Sequence, residues 1–282
     1  MENCFSSLPE NILDAIIEKL DYRDVYSLRK VSKIISLKVG KCMSHPPPIV
    51  ISSIEDRSKF SAFIRRHPNI KSINLSHSLY LTDNMIEELV EVCPHLQKVN
   101  VWNCLGLHNM ALRHISKLSE LNHLVIGDNT KFTADGVALI LKQCPKLKHL
   151  NISLCTNVDS SLAKTLAENC EELEELIAEF DPLFACNDTF AALEEAKCAK
   201  LRKLIIGNGN VMDESIQSME KSPFSHSLEI VDLRRNDGVT QQGYDILFEQ
   251  MNVQEIDGMT RDALPSSQIG MFFMNKRASA GE

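Results

Sequence analysis

The sequence has few aromatic residues, little net charge and no long apolar run. Aromatic residues make up 6% of the 282 positions and hydrophobic residues 44%, so we expect an ordered core built from aliphatic side chains. The net charge at pH 7 is -8, from 30 basic and 38 acidic residues, whereas a general nucleic-acid binder would be more basic. We therefore predict no nucleic-acid partner. Because no run of ~18 apolar residues occurs, we also predict no membrane span and no membrane partner.

Motifs that carry catalysis or metal binding are also missing. The chain has no P-loop, no G-x-G-x-x-G, no G-x-S-x-G and no H-E-x-x-H sequence, so an enzyme is the function class that the sequence favours least. None of the nine cysteines forms a Cys-x-x-Cys pair, the spacing that favours a zinc site. We therefore predict no catalytic residue, no cofactor and no metal.

The N-terminal residues carry no targeting signal that we can identify. They contain Glu2 and no arginine up to Pro9, which argues against a secretory or mitochondrial leader. We therefore expect free thiols in a reducing compartment, cytoplasmic and/or nuclear. No compact basic signal occurs beyond Lys276-Arg277, so the sequence leaves the choice between nucleus and cytoplasm open.

A repeat of the form L-x-x-L-x-L dominates residues 70–233. Seven segments place aliphatic or small residues at its three anchor positions, and they begin at Ile70, Leu96, Leu121, Leu147, Leu173, Leu201 and Leu228. The steps between these first anchors are 26, 25, 26, 26, 28 and 27 residues, within the ~20–29 residues of leucine-rich repeats. Residues 49–51 and 253–256 are predicted to be an opening and a closing unit.

Each strand motif is followed by a helical pattern. Ile86, Leu89, Val90 and Cys93 are spaced to share one helix face, and the same spacing recurs in later units. The helices are predicted to begin at threonine caps: Thr82, Thr133 and Thr240. A single unit cannot bury its own face, so the units must stack into an α/β solenoid, with a curved parallel sheet inside and helices outside.

Six cysteines follow the same period: Cys93, Cys104, Cys144, Cys155, Cys170 and Cys198. We interpret them as small buried hydrophobic residues. The pattern resembles the cysteine-containing class of leucine-rich repeats, in which L-x-x-L-x-L-x-x-C is followed by a T-D-like helix start.

Residues 1–45 do not follow the repeat. Ser7 and Glu10 have capping-box spacing ahead of an apolar stripe, and three short helices are predicted. So small a unit buries little core and usually depends on a partner. His45-Pro46-Pro47-Pro48 then forms a stiff connector or a simple spacer.

The same segment resembles the F-box. The resemblance is carried by Leu8-Pro9-Glu10, Ile12-Leu13, Ile16, Leu20-Asp21, Asp24 and Leu28-Arg29-x-Val31-Ser32. Ile34 and Ile35 stand where F-boxes often have a tryptophan, a departure that concerns the packing of the third helix. We divide the chain into an F-box helical domain (1–45), a Pro-rich connector with an opening repeat (46–69), a leucine-rich-repeat solenoid (70–260) and a partly disordered tail (261–282).

The resemblance implies a non-catalytic substrate-recognition subunit of a Skp–cullin–F-box ubiquitin ligase. It implies docking on a Skp-type adaptor and, through it, on cullin and RING subunits, with a protein as cargo. The residues that would meet the adaptor, or only form the core of the F-box itself, are Leu8, Pro9, Ile12, Ile16, Leu20, Leu28 and Val31.

Cargo recognition is predicted on the inner, concave face of the sheet. Strand side chains alternate, so the positions between anchors must point away from the core. From these positions we select eight candidate cargo-binding residues: Asn100, Trp102, His123, Val125, His149, Asn151, Ile177 and Ile205. Trp102 is the only tryptophan of the chain, and outward aromatic residues are frequent hot spots of binding.

Several alternatives remain open from the sequence alone. Residues 271–274 are apolar and could fold back onto the concave face. The acidic run around Glu171 could attract a basic partner or be solvated surface, and the loop around Asp181, which lengthens its unit to 28 residues, could contribute to binding. A stand-alone repeat scaffold or inhibitor, and an F-box protein that works outside the ligase, also fit. The scarcity of arginine on the predicted face argues against a phosphate requirement.

Overall fold

The computed structural model of the chain describes residues 49–50, 57–251 and 253–260. The predicted F-box helices, residues 46–48 and 51–56 of the connector, and the tail after residue 260 lie outside these residues. All seven predicted adaptor-binding residues lie outside them as well.

The described residues form a ten-stranded sheet whose strands lie side by side in chain order. Neighbouring strands from β1 to β9 are parallel, and β10 is antiparallel to β9. The strands are β1 Ile49–Val50, β2 Ser72–Asn74, β3 Lys98–Asn100, β4 His123–Val125, β5 His149–Asn151, β6 Glu175–Ile177, β7 Lys203–Ile205, β8 Ile230–Asp232, β9 Glu255–Ile256 and β10 Met259–Thr260. This order confirms the predicted solenoid.

A helix connects most pairs of successive strands and packs against the helix of the next unit. The helices are α1 Arg57–Arg66, α2 Asp83–Val92, α3 Asn109–Ile115, α4 Ala134–Gln143, α5 Leu162–Asn169, α6 Asn187–Ala192, α7 Asp213–Lys221 and α8 Gln241–Asp245. Helix α8 continues into a π-helical turn at Ile246–Gln250.

The three anchors of all seven predicted units are buried in one core between the sheet and the helices. In the unit that contains β3, for example, Leu96, Val99 and Val101 are at most 1% exposed. Burying an aliphatic side chain contributes roughly 1.5–3 kcal/mol, so the repeated anchors supply the main stabilisation. Register follows from the repeat, since Ile73 pairs with Val99 and Val99 with Leu124.

The six periodic cysteines are buried and free, as predicted. The thiol of Cys104 donates to the carbonyl oxygen of Leu75 at 3.1 Å, and that of Cys155 donates to Ile126 O at 3.4 Å. Burial raises the pKa of Cys104 to about 11 and that of Cys155 to about 12, so both thiols stay protonated. They join one unit to the preceding one.

The helix starts lie where they were predicted, but their capping differs. Only Thr240 of the three threonines accepts from its own helix, from Gln242 N at 3.2 Å. In three units the residue before the helix donates its N–H to the neighbouring unit: Asp83 Oδ1 accepts from His108 N at 2.9 Å, Asn109 Oδ1 from Thr133 N at 3.1 Å, and Asp213 Oδ1 from Thr240 N at 2.8 Å. Helix ends are therefore satisfied by stacking, which a single-unit reading does not reveal.

A tight turn follows each strand motif, and in most units one side chain supports it from inside. The turn residue has a left-handed backbone, with φ between 51° and 61°. Three residues after the third anchor, each unit has a residue that we call the ladder position: Ser78, Cys104, Asn129, Cys155, Asp181, Gly209 and Asn236. Asn129 shows its role, because its Nδ2 donates to Val101 O and its Oδ1 accepts from Cys104 N, both at 2.9 Å.

Candidate functional site: the concave face of the sheet

The concave face consists of three rows of side chains that run across the strands. Within the first two rows, strand register places the residues of neighbouring units side by side. In the third row, which follows the strands, backbone hydrogen bonds between successive units do the same. The first row is Ser72, Lys98, His123, His149, Glu175, Lys203 and Ile230. The second is Asn74, Asn100, Val125, Asn151, Ile177, Ile205 and Asp232. The third is Ser76, Trp102, Gly127, Ser153, Glu179, Gly207 and Arg234.

The structure places all eight predicted cargo-binding residues on this face, and all eight are partly exposed. Two of them also have a local role. Asn100 Oδ1 accepts from Trp102 N at 2.9 Å, and Asn151 Oδ1 accepts from Ser153 N at 3.0 Å. These bonds fix the chain as it leaves the strand, a role for asparagine that the strand pattern did not suggest.

Trp102 is half-buried and does not project freely from the face. Its ring lies over Gly127, the residue at the same position of the next unit, so closely that a β-carbon on residue 127 would collide with the ring. Gly127 therefore makes room for the indole. The ring forms a flat apolar part of the surface that spans two units.

The predicted histidine pair is in contact. The ring centroids of His123 and His149 are 4.9 Å apart, and the planes are tilted by 46°. His149 Nδ1 lies 3.1 Å from Glu175 Oε2, in an orientation that does not close a hydrogen bond. Burial lowers the pKa of His123, the charges of His149 and Lys98 lower it further, and Glu175 opposes them. We therefore expect a neutral imidazole at position 123 at neutral pH.

Much of the predicted acidic run is neutralised within the solenoid. Its paired members are Glu171 with Lys197 at 3.7 Å, Glu172 with Lys200 at 2.5 Å and Glu174 with Lys148 at 2.7 Å. Asp181 is not surface charge at all, since it is 1% exposed. Glu175 and Glu179 remain as the acidic groups of the run that face the concave surface.

Glu179 differs from the others because no cation of the described residues lies within ion-pair distance of it. Burial raises the pKa of its carboxyl, Asp232 raises it further, and Arg234 acts in the opposite direction. Arg234 is held by Asp232 through several hydrogen bonds, among them Nε to Oδ2 at 2.8 Å. Position 179 thus carries a partly desolvated carboxylate beside a cation that is already paired.

Sequence reasoning missed two apolar residues at the rim of this face. Phe180 is 44% exposed and occupies the left-handed turn after β6, while Leu154 occupies the same turn after β5. The signal was present in the sequence, because the equivalent positions of most units hold polar residues such as Asn103 and Asn208. Leu183, in the loop that lengthens this unit, is 57% exposed.

The described part of the chain offers no metal site and no membrane-spanning helix. No group of three or more His, Cys, Asp or Glu side chains could hold a metal ion among residues 57–251 and 253–258. None of the helices within these residues is long and apolar enough to cross a membrane.

Comparison with known proteins matches the N-terminal segment to the F-box and finds a relative over part of the chain. The F-box domain model matches residues 5–43, the range that holds every predicted adaptor-binding residue. A bovine protein named F-box/LRR-repeat protein 4 is 31% identical over 140 residues, which cover 48% of this chain. The chain carries an F-box ahead of leucine-rich repeats. The matched part of the chain spans 22% of the length of the bovine relative.

Among solved structures, the yeast complex of Rad7 and Elc1 contains a similar chain. The alignment has a TM-score of 0.47 and 11% identity, and it covers 89% of this chain and 77% of the other.

Proposed function

We propose that the chain is a non-catalytic substrate-recognition subunit of a Skp–cullin–F-box ubiquitin ligase. The observation that carries the proposal is the F-box at residues 5–43 ahead of a stacked repeat sheet with an open face. F-box domains bind Skp1-type adaptors, and repeat sheets of this kind present extended binding surfaces. The chain then acts by proximity, because it raises the concentration of cargo beside the conjugating enzyme.

The adaptor side of the proposal rests on the F-box residues. Leu8, Pro9, Ile12, Ile16, Leu20, Leu28 and Val31 supply the apolar surface for the Skp-type adaptor. Cullin and RING subunits join through that adaptor. The chain acts in the cytoplasm or the nucleus, in keeping with the free, buried thiols of its repeats.

The cargo side rests on the concave face. Val125, Ile177 and Ile205 give it an apolar middle, and Trp102 and the histidine pair flank that middle. The exposed apolar surface on a regular polar-edged sheet supports a protein-binding role. The cargo is a protein, and its recognition needs no cofactor.

The adaptor side is tested with the full chain and one substitution in each half. Ile12→Asp introduces a charge into the proposed adaptor surface, whereas Leu183→Asp changes an exposed residue of the repeats. In a pull-down with purified Skp-type adaptor, the wild type and Leu183→Asp should hold the adaptor and Ile12→Asp should not. If the wild type does not hold the adaptor, the chain is a free-standing repeat scaffold and the ligase proposal is wrong.

A further inference from the structure

The turn after β6 is built from residues that do not suit its backbone. Every described unit has a left-handed residue here, and most of these residues are polar, such as Asn103, Asp128 and Asn208. Asparagine and aspartate tolerate this conformation, whereas bulky residues are strained in it. Phe180 at φ 60° and Leu154 at φ 61° are therefore the strained positions of the series. Strain of this kind persists where it serves a function.

Burial does not offset the strain at Phe180. Its side chain is 44% exposed, and Leu183 in the following loop is 57% exposed. Between them Asp181 is 1% exposed, and neither of its carboxylate oxygens has a hydrogen-bond partner. Three local rules are thus broken within four residues, a combination that occurs at no other turn of the described units. Such departures are typical of binding sites.

The strained turn continues into the concave face. Ile177 and Ile205 are neighbours in register on β6 and β7, and Glu179 lies between Ile177 and the turn. A β-carbon at Gly207 would lie 3.1 Å from Arg234 O and 3.6 Å from both Glu179 Oε1 and Asp232 Oδ1. The two carboxylates therefore lie beside the same glycine, which presents no side chain of its own between them.

The charge at this place is incomplete. The Asp232 carboxylate is paired with Arg234, whereas no cation of the described chain lies within ion-pair distance of Glu179. A Lys or Arg side chain from outside would supply the missing charge and would retain apolar contact through its methylene stem. An acidic side chain would be repelled by the Glu179 carboxylate.

We propose that Ile177, Glu179, Phe180, Leu183 and Ile205, here called the β6 rim, bind an extended segment of the cargo that brings a Lys or Arg side chain to Glu179 between apolar side chains. This inference rests on the proposed cargo role of the concave face. It moves the centre of binding from Trp102 to the sixth strand. The apolar neighbours of the basic residue contact Ile177 and Ile205 on one side and Phe180 on the other.

The charge requirement is tested with two fluorescein-labelled nonapeptides of alternating valine and serine. One has arginine at its centre and the other glutamate. In fluorescence anisotropy titrations of the full chain, the arginine peptide should bind at least ~10-fold more tightly, the ratio for one added charge-assisted contact of ~1.4 kcal/mol. Glu179→Gln should abolish this preference. Glu171→Gln, at a carboxylate paired with Lys197, is the matched control and should keep it.

The strained turn is tested with Phe180→Asn. Because asparagine tolerates the left-handed backbone, this variant should weaken peptide binding and yet raise the Tm by ~2 °C. Leu105→Asn, at an apolar residue that is 48% exposed on an earlier unit, should leave peptide binding unchanged. Most surface variants that lose binding do not gain stability, so the combination identifies strain that serves binding.

Four results would overturn the proposal. Equal affinity for the two peptides would show that Glu179 does not select a basic residue. Unchanged peptide binding by Phe180→Asn would show that the β6 rim does not bind the peptide. If the peptide binds only after Phe272 and Phe273 are replaced by serine, the occupant of the β6 rim is the tail of the chain itself. Adaptor pull-down from the same preparations separates these failures from failure of the ligase role: if the adaptor binds and Trp102→Ala alone abolishes peptide binding, the concave-face role stands and the β6 rim is wrong.

Discussion

Replacing Asp181 with asparagine should stabilise the chain, and more so at high pH. Asp181 occupies the ladder position, where Asn129 and Asn236 donate through Nδ2 to carbonyl oxygens of the preceding unit. An ionised carboxylate has no proton to donate. The nearby amides of Leu154 and Cys155 lower the pKa of Asp181, but each donates to a carbonyl oxygen instead, Glu179 O and Ile152 O. The carboxyl group therefore loses its hydration and gains little hydrogen bonding in exchange.

The magnitude follows from the pKa. Burial raises the pKa of Asp181 from 3.8 to about 7. Because the folded chain holds this proton more tightly than the unfolded chain, the free energy of unfolding falls as pH rises from 3.8 to about 7. At pH above 7 the accumulated cost is roughly 4 kcal/mol. Asparagine removes the titration and restores a donor, so its advantage should be largest at pH 8 and small near pH 4.

Urea unfolding followed by far-ultraviolet circular dichroism at pH 4.5, 6, 7 and 8 measures this difference. The gain from Asp181→Asn should grow by on the order of 3 kcal/mol between the lowest and highest pH. Asp237→Asn, at an exposed carboxyl of a later loop, is the control and should show no such trend. A gain that does not depend on pH, or a variant less stable than the wild type at pH 8, would refute the assignment of a buried, uncompensated carboxyl.

Three further predictions concern residues of the same frame. Gly127→Val should displace the Trp102 ring, lower the Tm and shift the emission of this single tryptophan to longer wavelength, and adding Trp102→Ala should restore part of the Tm. Asn236→Ala removes the donor to Ile206 O and leaves the amides of Gly209 and Val211 without their acceptor, so urea unfolding should show a loss of about 2–4 kcal/mol. Among the described cysteines, the half-buried Cys186 should react first with a thiol reagent at pH 8, as peptide mass spectrometry can establish, because the others have pKa values raised to about 11 or 12 by burial.

The fold was predictable from the sequence because one period repeats seven times. Leu124 and Leu150 are core residues for the same reason in each unit, and their alternation with His123 and Val125 assigns the concave face directly. The direction of a strand side chain depends on the pleat alone, so it needs no knowledge of the neighbours.

Contacts between units were not predictable in the same way. The Trp102 ring leans onto Gly127, and the helix start at Thr240 is satisfied by Asp213 of the previous unit. The internal pairing of the acidic run was not predicted from the sequence, because the lysine that pairs with Glu174 lies 26 residues away, at Lys148. These interactions depend on which side chains of neighbouring units meet in the stack. The sequence of a single unit therefore does not predict them.

The position of the β6 rim within the stack suits a receptor that works by proximity. In a solenoid each unit contacts only its neighbours, so the cost of Phe180 and Asp181 is confined to one place and the flanking ladders, through Cys155 and Asn236, stay intact. From β2 to β6 the sheet advances by ~19 Å at ~4.8 Å per strand, without a hinge in the described order of strands. A rigid path of this kind holds bound cargo at a constant distance from the N-terminal end of the repeats. Strain at the β6 rim can then serve cargo recognition, while the other repeats keep the geometry that ubiquitin transfer to the cargo requires.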